Sequence, residues 1–290
     1  YDNSVASKVV WGLRIHRTIL AIVVGASLAV AGVVMQALTR NPLAEPGVLG
    51  VNAGASLAVV AAIGGLGLTS VNQYLPFAFA GAAAAAVLVH AMSRRSADAG
   101  PARLVLAGVA LGASLSSITG TITMYNSKAF DSYRFWVVGS LENRKLEVLL
   151  WVAPFLAVGL VLALASAHSL NALALGDEQA TALGVNLAVV RGGAFVAITL
   201  LCGAATAAVG PISFIGLVIP HVVRLLVGAD QRRLLAWSVV AGAGLLLAAD
   251  VAGRLLIRPT ELEAGIVTAF IGAPVLLVLA LTNRTVRRSA

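Results

Sequence analysis

Nine apolar runs, each near the length needed to cross a lipid bilayer, dominate this chain. They are approximately Ile19–Leu38, Val48–Leu66, Leu75–Met92, Ala102–Met124, Val148–Ala167, Val189–Val209, Ile212–Val227, Leu234–Leu256 and Ala264–Leu281. About 20 consecutive apolar residues cross the hydrocarbon core as a helix. In lipid the backbone must satisfy its own hydrogen bonds, so runs of this length predict helices. The fold class expected is therefore all-α, a polytopic membrane helix bundle forming one domain over residues 1–290. The seventh run is short and follows the sixth across only Gly210-Pro211. Gly25, Ala29, Gly32 and the stretch Gly81 to Ala86 are small enough to let helix backbones approach closely, which predicts a tight bundle.

Charge sharpens this. The chain is 59% hydrophobic and 11% charged, against about a quarter charged residues in an ordinary soluble domain. The net charge of +8 would suggest nucleic acid in a soluble protein, but the basic residues stand at the ends of apolar runs, which suits membrane flanks and docking surfaces. One set of ends carries eleven of them, including Arg40, Arg191, Arg224 and Arg288; the other carries nine, including Lys8, Arg14, Arg17, Arg254 and Arg258. The excess of Arg and Lys puts the first set and the C-terminus in the cytoplasm, and nine spans then put the N-terminus outside. The lone Cys202 lies in an apolar run, excludes an intrachain disulfide and reads as a small buried hydrophobe. Tyr1 to Trp11 is polar, lacks an initiator Met and is not a signal peptide, so the chain is expected to be a fragment of something longer.

The stretch Met35 to Ala55, MQALTRNPLAEPGVLGVNAGA, breaks the pattern most sharply. Pro42 and Pro46 end helical hydrogen bonding, and Asn41 and Glu45 require water or a polar partner. It reads as a polar hairpin where the chain leaves the bilayer and returns. Arg14 and Arg17, three residues apart, share one face of a short helix before the first span. They read either as snorkelling interfacial side chains or as groups that capture carboxylates on a partner protein. Asp250 lies four residues before Arg254, and an intramembrane carboxylate needs a partner, so the two read as an ion pair.

The long inner insertion, His168 to Asn186, contains LGDEQATALGVN. Asp177 and Glu178 suit a helix start, Ala180 and Leu183 share one side, and Gly184 stops the helix. It is either an ordinary surface helix or a rigid element that transmits force from another protein. Ser114, Ser116, Ser117, Thr119, Thr121 and Thr123 on the fourth run bond back to their own helix or line a pathway. Tyr125, Tyr133, Phe135 and Trp136, in the loop after it, form an interfacial belt or a cavity wall. His221 in PHVVR reads as a helix-end cap, because no second His, Cys or carboxylate stands at ligand spacing; no metal site is expected. No Gly-Lys dipeptide occurs, so the chain has no P-loop, and neither a carboxylate pair nor a nucleophile elbow is present. The chain is not expected to be an enzyme, and no cofactor is expected in it.

The motifs LRIHRT, MQALTRNPLAEPGVLGVNAGAS, RFWVVGSL, LGDEQATALGVN, GPISFIGLVIPHVVRLLVGAD and GIVTAFIGAPVLL together resemble the FecCD family, permease subunits of importers for iron-siderophores, haem and cobalamin. The resemblance covers essentially the whole chain, and its wording is nearest to ferric-siderophore permeases of the enterobactin-transporter type. It implies ten spans, of which the first is missing here. It also implies two permease subunits, homo- or heterodimeric, with two ATP-binding subunits inside that carry ATP and Mg. A periplasmic or lipid-anchored substrate-binding protein sits outside. By the same resemblance Arg14, Arg17 and Arg254 receive acids of the binding protein, and Asn41 and Leu43 lie at the cytoplasmic gate. The loop at 168–188, with Asp177, Glu178, Ala180, Leu183 and Gly184, couples to the ATPase. His16 departs from the family, which usually has Pro between the two arginines.

The resemblance thus implies a multi-pass permease of the cytoplasmic membrane that moves ferric siderophore by ATP-driven alternating access. Haem and cobalamin import are the neighbouring alternatives. An ion-coupled secondary transporter is the rival of a different class. It would place ionisable or broken-helix sites near mid-membrane within inverted repeats, and neither stands out in this sequence.

Overall fold

The computed structural model describes residues 10–94, 101–142, 144–257 and 259–288. Lys8 and Arg258 of the charge count lie outside the described residues. A π-helical turn, Val10–Arg14, leads directly into α1 (Ile15–Thr39). A 3₁₀ turn at Pro46–Leu49 then precedes α2 (Val51–Leu66), α3 (Val71–Arg94), α4 (Pro101–Tyr125), α5 (Ser127–Trp136) and α6 (Leu146–Ala165). The remainder is α7 (Ala167–Ala174), α8 (Asp177–Ala182), α9 (Leu187–Val209), α10 (Ile215–Val227), α11 (Gln231–Leu256) and α12 (Ala264–Arg288). There is no strand among the described residues.

All nine apolar runs are helical. Six helices (α1, α3, α4, α6, α9 and α11) are long and apolar enough to cross a membrane, while α2, α10 and the apolar part of α12 are shorter. Two helices go beyond the sequence expectation: α5, in what reads as an outer loop, and α7, in the inner insertion before the helix expected at Asp177. Asn126 starts α5 by accepting the Ala129 N–H through its side chain.

The fold is built around α1. From Val24 to Leu38 every residue of this helix is buried, enclosed by α6, α7, α9, α10 and α11. It has no polar face because it never meets solvent or lipid there. Close approach makes this possible: a Cβ on Gly25 would collide with the Gly242 carbonyl of α11, and one on Gly32 with the Gly216 carbonyl of α10. Small residues thus set the helix spacing where lipid supplies no hydrophobic drive between helices. A second group, α2 to α5, packs beside it through α9, with Gly54 and Gly81 in the same backbone contact between α2 and α3. By contrast α4 is peripheral, with 11% of its apolar window buried. Leu225, Leu226 and Phe270 are among the large apolar side chains left on the outside, where a membrane supplies their solvent.

Candidate functional site

Two polar clusters mark opposite ends of α1. Arg17 and Arg40 are 23 residues apart, about 35 Å at 1.5 Å per helical residue.

At the first end, Asp250 of α11 is the centre. Its carboxylate is 1% exposed and accepts Arg17 Nε at 2.8 Å on Oδ1 and Arg254 Nη2 at 2.7 Å on Oδ2. Arg17 also pairs through Nη1 with Glu261 at 2.6 Å. The predicted Asp250–Arg254 pair is present, and a third member, Arg17, comes from 233 residues away. Two cations on one buried carboxylate satisfy it fully, and each guanidinium still reaches solvent. Arg17 and Arg254 are therefore both held inside the chain. Arg14 differs: it is exposed and forms no ion pair among the described residues.

At the other end, α1 stops at Arg40, which adopts a left-handed conformation (φ 49°, ψ 34°) and folds its N–H back on Ala37 and Gln36 carbonyls. Asn41 accepts the Leu43 N–H at 3.0 Å, an Asx turn that fixes the RNPL loop. Glu45, further along, accepts the Phe214 N–H at 2.7 Å. Phe214 itself is left-handed, with φ 72°, and it opens α10. The hairpin's polar residues thus cap the chain break before α10, 169 residues away, a pairing that sequence spacing gives no hint of.

Arg40 joins this loop to α8. Its Nε donates to the Leu173 carbonyl at 2.9 Å, and its Nη2 pairs with Asp177 Oδ1. Arg191 of α9 takes Asp177 Oδ2 at 2.6 Å. Partial burial works to raise the Asp177 carboxyl, but the two arginines outweigh it and hold the group below its ordinary range. Of the positions in and just after α8, Ala180 is buried and Glu178, Leu183 and Gly184 are exposed, with Gly184 left-handed past the helix end. Beside it, Asp230 caps α11 through the Arg232 N–H and accepts Asn171 Nδ2 of α7 at 2.8 Å.

A cavity of about 410 Å³ opens next to this cluster, between α1, α7 and α10. Its wall includes Gln36, Arg40, Asn41, Leu43, His221 and Arg224. His221 thus lines a hollow rather than capping a helix end. A second groove, about 340 Å³, runs between the 3₁₀ turn, α2 and α4 past Asn52, Ser56, Gly108, Ser116 and Tyr133. Ser114, Ser117, Thr119, Thr121 and Thr123 of α4 hydrogen-bond back to their own helix, as expected. Of the aromatics after α4, Tyr133 lines the groove and Trp136 is buried. Among the described residues no group of His, Cys, Asp and Glu could hold a metal.

The profile of the FecCD transport family matches residues 1–282. The chain belongs to this family. It is similar to the ferric enterobactin transport system permease FepD of Escherichia coli K12, with 47% identity over 279 residues, 96% of this chain and 83% of the relative. The Fe(3+)-citrate import permease YfmD of Bacillus subtilis is 42% identical over 287 residues, 99% of this chain and 85% of the relative. A solved inward-facing structure of a metal-chelate type ABC transporter superposes with a TM-score of 0.88 at 30% identity, covering 97% of this chain and 90% of that one. Haemin and vitamin B12 permeases match over similar lengths. A FecCD family chain with these helices is a multi-pass membrane protein and works with other ABC transporter components.

Proposed function

We propose that the chain is the permease subunit of a binding-protein-dependent ABC importer that moves ferric siderophore across the cytoplasmic membrane. The observation that carries this reading is likeness along nearly the whole chain to permeases of iron chelates, FepD and YfmD among them. In this reading nine spans are present, the Arg17 end faces outward, and the Arg40 end and C-terminus face the cytoplasm. Two permease subunits, alike or different, stand on two ATP-binding subunits and receive a substrate-binding protein. The groove beside α4, lined largely by small and apolar residues with Asn52, Ser56 and Ser116 among them, fits a path wall for bulky cargo. Iron travels inside its chelator and needs no ligands from this chain.

The site roles follow from position. Exposed Arg14 is the outer cation available to a binding protein's carboxylate, with Arg17 and Arg254 behind it in the Asp250 network. Docking through these last two requires an incoming acid to share them with Asp250, so their part is register rather than capture. The segment with Asp177, Glu178, Leu183 and Gly184, anchored inward by buried Ala180, is what an ATPase cleft would grip, and Arg40 relays its movement to Asn41 and Leu43 at the gate. Haem or cobalamin import is the second reading, favoured by matches to permeases of both kinds.

The test reconstitutes the full-length permease with its neighbouring ATPase and binding protein. Uptake of radiolabelled ferric siderophore, haem and cobalamin is then measured side by side, with Arg14→Glu as control. Siderophore uptake that exceeds the others and falls in the variant supports both substrate and docking roles. Preference for haem or cobalamin overturns the substrate, and uptake untouched by Arg14→Glu removes the docking role.

A further inference from the structure

The cavity beside the RNPL loop holds a charge that nothing nearby neutralises. Arg224 of α10 is half-buried, and among the described residues its side chain makes one hydrogen bond, from Nη2 to Gln36 Oε1 at 3.1 Å. Gln36 is 3% exposed, and its Nε2 points at the Gly216 and Leu217 carbonyls of α10. That amide is locked, so it fixes the guanidinium in place. The other arginine on the wall, Arg40, is already occupied by Asp177 and the Leu173 carbonyl. No Asp or Glu lines the cavity; its remaining polar side chains are His221 and Asn41. A guanidinium has five N–H donors in a planar fork and keeps its charge. Removing it partly from water without a counter-ion is costly, and its natural partner is a carboxylate or phosphate taken bidentately.

We propose that this cavity is an oxyanion site, in which Arg224, oriented by Gln36, binds a carboxylate or phosphate with Asn41 at the rim. At about 410 Å³ it accepts one acidic arm of a larger molecule. Two sources share this chemistry: an acidic group on a chelate in transit and the phosphate of an anionic lipid headgroup. If the importer reading holds, the first source makes the site a transient anchor at the inner mouth, favouring acidic chelates over neutral ones.

The experiment uses the intact permease–ATPase complex in phosphatidylcholine nanodiscs, with ¹⁴C-citrate as probe in equilibrium dialysis. It does not depend on transport, so its failure is separable from failure of the importer reading. Citrate should bind above the empty-nanodisc level. Arg224→Gln should weaken binding at least tenfold, Arg224→Lys should retain part of it, and Lys128→Gln, which removes an exposed cation on α5, should leave it unchanged. Thermal unfolding midpoints matching the wild type establish that the variants are folded. Nanodiscs containing phosphatidylglycerol identify the source. Loss of citrate binding there upholds the site with lipid phosphate as occupant, and persistence upholds it with soluble acid. No binding above the blank, or equal binding in folded Arg224→Gln, overturns the proposal.

Discussion

Arg40, the residue that ends α1, pairs with Asp177, the first residue of α8. The pair joins the most enclosed helix of the bundle to a short surface helix and sits one residue before Asn41. If α8 is where an ATPase pushes, this contact is a direct route from that push to the loop. Arg40→Gln and Asp177→Asn should each lower uptake per ATP hydrolysed by roughly fivefold, a coupling of about 1 kcal/mol. The double variant should be no worse than the worse single one, because both remove the same contact. Uptake-to-ATP ratios in proteoliposomes check this, and additive losses contradict it. Stability should change little, since both side chains are more than a third exposed and pairs of this kind contribute about 0–1 kcal/mol.

Asp177 also sets an acid limit. Two arginines hold its carboxyl below the ordinary value of 3.8 despite partial burial. A group depressed in the folded state adds stability above its unfolded pKa and loses it as pH falls through the folded one. The α8 clamp should therefore be constant from neutral pH down to about 5 and open only in stronger acid, below about 4. Protease protection of the α7–α8 segment against pH, compared between wild type and Asp177→Asn, reads this directly. The wild type should lose protection below about pH 4, and the variant should show no such step.

Asp250 carries a different load. It is buried and holds Arg17 of α1 and Arg254 of its own helix. Removing the carboxylate leaves Arg17 with Glu261 alone and Arg254 without its ion-pair partner, at a cost near the lower end of the ~3–5 kcal/mol known for breaking buried pairs, because both arginines can reach water. Asp250→Asn should lower the thermal unfolding midpoint in detergent well beyond Arg14→Gln, which touches no ion pair.

Backbone contact between helices gives the fourth expectation. Gly32 faces the Gly216 carbonyl inside the bundle. Gly32→Val forces α1 and α10 apart, costing roughly 1–3 kcal/mol or more as overpacking, and should abolish monodisperse elution in mild detergent. The same change at Gly112, which meets nothing nearby, should be tolerated.

Much of this was legible in the sequence because lipid imposes one rule on every run: satisfy the backbone internally. The helices from Ile19, Leu75, Ala102, Val148 and Leu234 follow from that rule alone. The short helix at Asp177 was also readable, since acids at its start and Gly184 at its end are local signals. The Asp250–Arg254 pair was readable at i,i+4 spacing. Arg17 as the third member was not, nor were Glu45 on Phe214 or Gln36 on Arg224. These contacts join residues 169 to 233 positions apart, and single-sequence periodicity carries no information about which helices become neighbours. Helix α5 is hard to read from sequence because its aromatics and charges, SKAFDSYRFW, have loop-like composition, and its Asn126 cap is the one local signal for it.

The measurement that tests the central claim most directly separates the two possible energy sources. Proteoliposomes containing the permease, its ATPase and its binding protein are loaded with ferric siderophore outside. Uptake is followed either with ATP on the ATPase side and no ion gradient, or with a proton or sodium gradient and no ATP. The account predicts uptake in the first condition and none in the second. Uptake driven by the gradient alone, indifferent to ATP, would contradict it and make the chain a secondary transporter.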